Sequence, residues 1–297
     1  MRRTAKLGQR AIGLLLWLAM SFALGENARA QTEASQQPVS ASASQSAPAP
    51  QVRSLEKHFL RDFLHDEKAI WTSPFHVRLK ELKWVLPLAA TTAVLIVTDR
   101  RATGEMRELV INQPAALRAS QRTSNLGSPV ITYGLAGGMY VIGRFTHDDR
   151  LRETGLLGAA ALLHTSIVTN VFKAATNRQR PDKGDGCGRF WTGGKSFPSG
   201  HASTSWALAT VIAHEYHDKP LIRWGAYGVA AAVSASRVTG LKHYPSDVVI
   251  GGALGFLIGR YIVREHSARD AGGVKTTLYP YLQPATRAAG MGVTWSF

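Results

Sequence analysis

The chain has 297 residues, 45% of them apolar, and a formal charge of +15. That is enough apolar material to bury the core of one large domain or two small ones, and the charge points to an anionic partner: nucleic acid, an anionic lipid surface or a phosphorylated substrate. The basic residues form no long run interleaved with aromatics, which argues against nucleic acid, and with Cys187 as the single cysteine no intramolecular disulfide can form.

Arg2, Arg3, Lys6 and Arg10 precede an uncharged run from Ala11 to Gly25, and Ala28, Arg29 and Ala30 follow it. This is the pattern of a secretory signal over residues 1–30; an uncleaved membrane anchor is the alternative. Its removal takes five basic side chains and one acidic one, and the charge falls only to +11. Residues 31–52, rich in Gln, Ser, Ala and Pro, lack apolar periodicity and read as a disordered linker. A helical domain is expected over residues 53–270. It opens with Leu55, Phe59, Leu60, Phe63 and Leu64, whose spacing predicts an amphipathic helix that packs on its own domain or lies on a membrane surface.

Six apolar segments follow, approximately Leu82–Thr98, Pro129–Phe145, Gly155–Phe172, His201–His214, Gly225–Ser236 and Val248–Val263. Each is longer than an ordinary strand, rich in Ala, Leu and Gly, and free of sustained two-residue alternation, so the expected fold is an all-α six-helix bundle. In the tail, residues 271–297, Met291, Val293, Trp295 and Phe297 alternate with smaller or polar residues. That is strand spacing, and Thr276–Gln283 supplies a partner for a terminal β-hairpin.

Three clusters at helix boundaries carry chemistry. In the first, Lys173 and Arg180 leave the third apolar helix, which Pro181 is expected to stop. In the second, Phe197, Pro198, Ser199, Gly200 and His201 run into the fourth: Ser199 can cap it, Gly200 lets backbone approach a ligand, and the free amides at the helix start form an anion-binding concavity. The third runs from Ser236 and Arg237 to His243 and Asp247. Pro245 suits a first-turn position, which puts His243 just outside the sixth helix and Asp247 in its opening turns, within reach of the imidazole N–H. A histidine so oriented keeps one nitrogen lone pair free for attack and has its cationic adduct stabilised.

The order and spacing of these clusters, K-x6-R-P, P-S-G-H and S-R-x5-H-x3-D, resemble the signature of the type 2 phosphatidic acid phosphatases, whose superfamily also holds the bacterial class A acid phosphatases and the vanadium haloperoxidases. The resemblance covers roughly residues 155–263. It implies that His243 attacks phosphorus and Asp247 orients it, and that His201 protonates the leaving group and then activates water. Lys173, Arg180 and Arg237 clamp the non-bridging oxygens, helped by Ser199 and the Gly200 amide. It implies no metal or other cofactor, with vanadate acting as a phosphate mimic.

No cluster has metal-ligand spacing: His164, His214 and His217 lie in or beside apolar helices without acidic company. Between the first two clusters a glycine-rich loop carries Phe190, Trp191 and Lys195; it is expected either to form a substrate lid or to be a flexible loop with a packed Trp. The expected partner is a phosphorylated small molecule or lipid such as phosphatidate or a polyprenyl diphosphate, with membrane association and an exported site in the periplasm or cell envelope. A soluble bundle of the class A kind, a vanadate-dependent haloperoxidase and a non-catalytic anionic-lipid binder are the alternatives.

Overall fold

A computed structural model describes residues 55–73, 79–183, 186–270, 275–283 and 288–296. The expected signal and linker lie outside the described residues. Among these residues there are eight α-helices: α1 (Leu55–Thr72), α2 (Leu82–Val110), α3 (Pro114–Asn125), α4 (Pro129–Thr146), α5 (Asp149–Thr176), α6 (Gly200–Glu215), α7 (Pro220–Thr239) and α8 (Pro245–Asp270). Two strands, β1 (Lys275–Gln283) and β2 (Ala288–Ser296), pair antiparallel with Leu278 opposite Val293.

Local chemistry sets the helix ends. Proline occupies the first turn of α3, α4 and α7, where its missing N–H costs nothing. Ser128 and Asp148 cap α4 and α5 by accepting from the amides of Ile131 and Leu151. His147 and Asn177 end these helices in the left-handed region, at φ 57° and 44°. Asn177 therefore stops α5 four residues before Pro181, the residue expected to do so.

Two elements depart from the apolar runs. Helix α2 continues twelve residues beyond Thr98, because Asp99, Thr103, Met106 and Val110 recur at helical spacing on a buried face that is only half apolar. Helix α3 has no apolar run at all and is held by its neighbours: Ser124 bonds Arg237, and Ser120 lies 2.7 Å from Thr239 of α7.

Helices α2 and α4 to α8 alternate in direction. Helix α6 is the most enclosed, packed between α5, α7 and α8. Gly251, Gly255 and Gly259 line the α8 face against it, and a Cβ on Gly255 would stand 2.0 Å from the Ser203 carbonyl oxygen, so side chains there would force the two helices apart. Leu157, Ala161 and Val168 of α5, Val211 of α6 and Ile262 of α8 share the main core, onto which Phe59 and Ile70 of α1 pack. The amphipathic helix thus docks on its own bundle while leaving Leu60, Leu64 and Trp71 exposed.

The bundle periphery is apolar. Val97, Val130, Phe145 and Leu221 are each about four-fifths exposed or more, and large apolar residues stand outward on α2, α4, α5 and α7, which a water-facing surface would not favour. Three helices, Leu82–Val110, Asp149–Thr176 and Pro245–His266, are long and apolar enough to cross a membrane.

Candidate active site

The alternation of the helices brings the end of α5, the start of α6, the end of α7 and the start of α8 to one end of the bundle. Lys173 lies in the last turn of α5, His201 is the second residue of α6, Arg237 is in the last turn of α7, and Asp247 is in the first turn of α8. The loop from Gly240 to Tyr244 carries His243, whose amide donates to the Arg237 carbonyl at 3.1 Å. The Ser199 amide donates to the Asp247 carbonyl at 2.9 Å and ties the α6 start to α8.

The three clusters therefore meet. His201 is held down to about 4, first by burial and then by the positive charges of Arg237, His243, Lys173 and Arg180 around it. Burial likewise depresses His243, opposed by Asp247 and reinforced by Arg237 and Arg180. Lys195, from the glycine-rich loop, also lies within Coulombic range of Lys173. Four cations around two imidazoles make a site that favours a multiply charged anion.

Polar atoms at the site lack protein partners. The Ser199 hydroxyl, expected to cap α6, makes no capping bond and is fully buried. The Arg237 Nε is buried and unbonded, although its Nη1 holds Ser124. Leaving buried donors unsatisfied costs about 1–3 kcal/mol each. Gly200 makes room beside them: a Cβ there would stand 2.9 Å from the Lys173 ammonium.

His243 Nδ1 stands 3.5 Å from Asp247 Oδ2, an ion-pair distance longer than a good hydrogen bond; such contacts commonly tighten only when substrate is bound. Asp247 itself is firmly fixed. Its Oδ2 accepts from the Ser196 hydroxyl at 2.5 Å and the Tyr244 amide at 3.0 Å, and its Oδ1 accepts from Arg178 at 2.6 Å. Arg178 and Ser196 are fully buried and were not singled out in the sequence. Nor was Asp99 of α2, to which Arg178 donates at 2.7 Å.

The glycine-rich loop divides its aromatics. Phe190 turns inward onto the Arg178 guanidinium, 4.7 Å from the ring centre, and sits edge-on to Phe197. Trp191 is 78% exposed, with its indole N–H bonded to the Ala175 carbonyl. His164 corrects an expectation: it has acidic company, its Nδ1 lying 2.5 Å from Glu67 of α1, a residue 97 positions away. His214 lies 3.5 Å from its neighbour Glu215.

Residues 154–270 match the PAP2 superfamily. The chain is 34% identical over 204 residues to a lipid A 1-phosphatase of Porphyromonas gingivalis, covering 67% of this chain and 42% of that protein. It is 27% identical over 172 residues to a decaprenylphosphoryl-5-phosphoribose phosphatase of Mycobacterium tuberculosis, covering 55% and 92%. A transmembrane PAP2 type phosphatidylglycerolphosphate phosphatase from Bacillus subtilis of known structure aligns with a TM-score of 0.49 at 21% identity, covering 61% of this chain and 95% of that one. The chain thus spans less than half the length of the first of these relatives, and its match to the PAP2 superfamily lies in residues 154–270.

Proposed function

We propose that the chain is a metal-independent phosphatase that removes phosphate from a lipid phosphate ester or diphosphate through a phosphohistidine. The observation that carries this is the convergence of Lys173, Arg180 and Arg237 on two imidazoles, one of them facing a buried carboxylate. A surface that only binds anions needs the cations and not the oriented histidine. The relatives that are named as phosphatases of lipid A and of a decaprenyl phosphosugar support a lipid-linked substrate.

In this mechanism His243 forms an N–P bond as the P–O bond to the leaving group breaks, and the departing oxygen takes a proton from His201. Water then attacks phosphorus, gives its proton to His201, and the N–P bond breaks to release phosphate. His201 is neutral because burial first, and then the positive charges around it, hold its value low. The negative charge of the substrate offsets them, so binding itself loads the acid. The cations, the Ser199 hydroxyl and the α6 amides stabilise charge on the equatorial oxygens, the task a metal performs elsewhere.

The apolar periphery and the three long apolar helices support a bundle embedded in a membrane with the site at one face. A cavity of about 390 Å³ lined by Arg100, Thr103, Arg107 and Asp182 lies on that face and leaves room for a head group. Helix α2 enters from the opposite face, so a periplasmic site requires α2 to start on the cytoplasmic side.

The purified protein is expected to release phosphate from phosphatidate or a polyprenyl diphosphate with chelator present, and His243→Ala to abolish release. Full turnover by His243→Ala would overturn the nucleophile assignment, and loss of wild-type activity on chelation would overturn metal independence.

A further inference from the structure

We propose that Asp99 and Arg178 form, with Asp247, a buried charge relay of alternating sign that positions His243 and sets the charge available to its phosphoryl adduct. The inference rests on the phosphatase reading above and adds two positioning residues to it: Asp99, from outside the three clusters, and Arg178, an unassigned residue within the first.

The geometry leaves Arg178 little freedom. One guanidinium nitrogen donates to Asp99 at 2.7 Å, and the other donates to Asp247 at 2.6 Å and to the Ser246 hydroxyl at 2.7 Å. Its Nε donates to the Gly188 carbonyl at 3.0 Å. Tyr244 covers the guanidinium at 4.4 Å from the ring centre and Phe190 at 4.7 Å. Ser246 closes the frame, its amide donating to Asp99 at 3.1 Å and its hydroxyl to the same carboxylate. Helix α2, the loop after α5 and the start of α8 are locked together by one side chain. Arg178 and the two carboxylates are all at most 2% exposed.

Burying a guanidinium and two carboxylates is unfavourable unless their geometry is specific, so stability alone is a weak reason for the arrangement. Its charge is informative. Two carboxylates and one guanidinium carry a net charge of −1, and this faces His243 through Asp247 Oδ2. When His243 becomes a cation on phosphorylation, the group balances it. Arg178 also occupies Asp247 Oδ1, which leaves only Oδ2 for the imidazole and fixes the ring. The other charged groups around His243 are Arg237 from α7, Arg180 from the loop and His201 from α6; they stay constant in the test below.

The test changes the charge in opposite directions. Arg178→Gln leaves a net −2 facing His243, so His243 holds its proton more tightly and the acid limb of kcat/KM moves to higher pH, by about one unit. Asp99→Asn leaves net zero, moves the limb to lower pH and lowers kcat. The double variant restores −1 and returns the limb to near its wild-type position. Arg178→Lys keeps the charge without the fork, so it lowers kcat with little movement of the limb. The His243 imidazole is titrated in parallel by NMR in detergent micelles, which needs no turnover. Opposite shifts with recovery in the double variant support the relay, and if the variants show those shifts in the NMR titration while wild type has no phosphatase activity, the relay stands and the reaction assignment falls. Shifts of the same sign, no shift, or a double variant no better than either single one overturn the relay.

Discussion

Substituting Gly200 by Ala separates the stability of this fold from its activity. The added Cβ would stand 2.9 Å from the Lys173 ammonium and 3.9 Å from the Thr169 Cγ2 methyl, with nothing else within 4 Å. The second distance is ordinary contact, and the first is relieved by the flexible end of one side chain. Removing a glycine from a helix adds up to about 1 kcal/mol of stability. The Lys173 ammonium must retreat by roughly 0.5–1 Å from where it meets the phosphate, and a misplacement of that size costs about 10- to 100-fold in rate, or ~1.4–2.7 kcal/mol of transition-state stabilisation. Initial rates of phosphate release in detergent micelles and the thermal unfolding midpoint are the two measurements. Gly251→Ala is the contrast, because its Cβ would stand 2.6 Å from the Ser199 carbonyl oxygen, a backbone atom; it is expected to lose about 1–3 kcal/mol of stability by overpacking. Wild-type kcat/KM in Gly200→Ala would refute the placement of Lys173 on the phosphate.

His201 offers a pH test. Its value in the empty site is about 4, and vanadate or phosphate is expected to raise it by at least a unit in an NMR titration; an unchanged value would remove it from contact with the anion. Because the folded value lies below the ordinary one of about 6.5, the unfolded chain takes up the proton first. The contribution of His201 to stability is therefore present above about 6.5 and lost as pH falls towards 4, and the depressed His243 acts with the same sign. At the other end, Glu67→Ala strips buried His164 of its partner and is expected to cost about 1–3 kcal/mol and loosen α1, seen as new protease sensitivity near residues 55–72, with kcat/KM little changed. Unaltered protease resistance would show that packing of Phe59 and Ile70 alone holds the helix.

What could be seen in the sequence followed from how locally each feature is encoded. The six apolar runs mark bundle helices because each declares itself over a dozen or more consecutive residues. The three clusters could be grouped because each sits where a run begins or ends, and antiparallel helices of similar length must bring such ends together. Helix α3 could not be seen in this way: Ser120 and Ser124 hold it through partners 119 and 113 residues distant. The same holds for His164, whose acidic partner lies on a helix far upstream. Ser199 does not cap α6 as its residue type suggests, and its hydroxyl is buried without a protein partner.

Arg178 is the most instructive omission. It stands two residues before Arg180 in a stretch where a second basic residue looks like loop solvation, and its sequence context does not distinguish the two. Their environments do. Arg180 remains partly exposed and lies within Coulombic range of Lys173 and His201, whereas Arg178 is buried between two carboxylates and two aromatic rings. The discriminating residue is Asp99, a buried carboxylate at the end of the apolar run of α2, 79 positions upstream of Arg178. A buried carboxylate in such a helix requires a cation, and among the described residues it is Arg178 that meets it. Positive charge at this end of the bundle is thus divided: Lys173, Arg180 and Arg237 gather around the two imidazoles, and Arg178 is spent on the two acids beside His243.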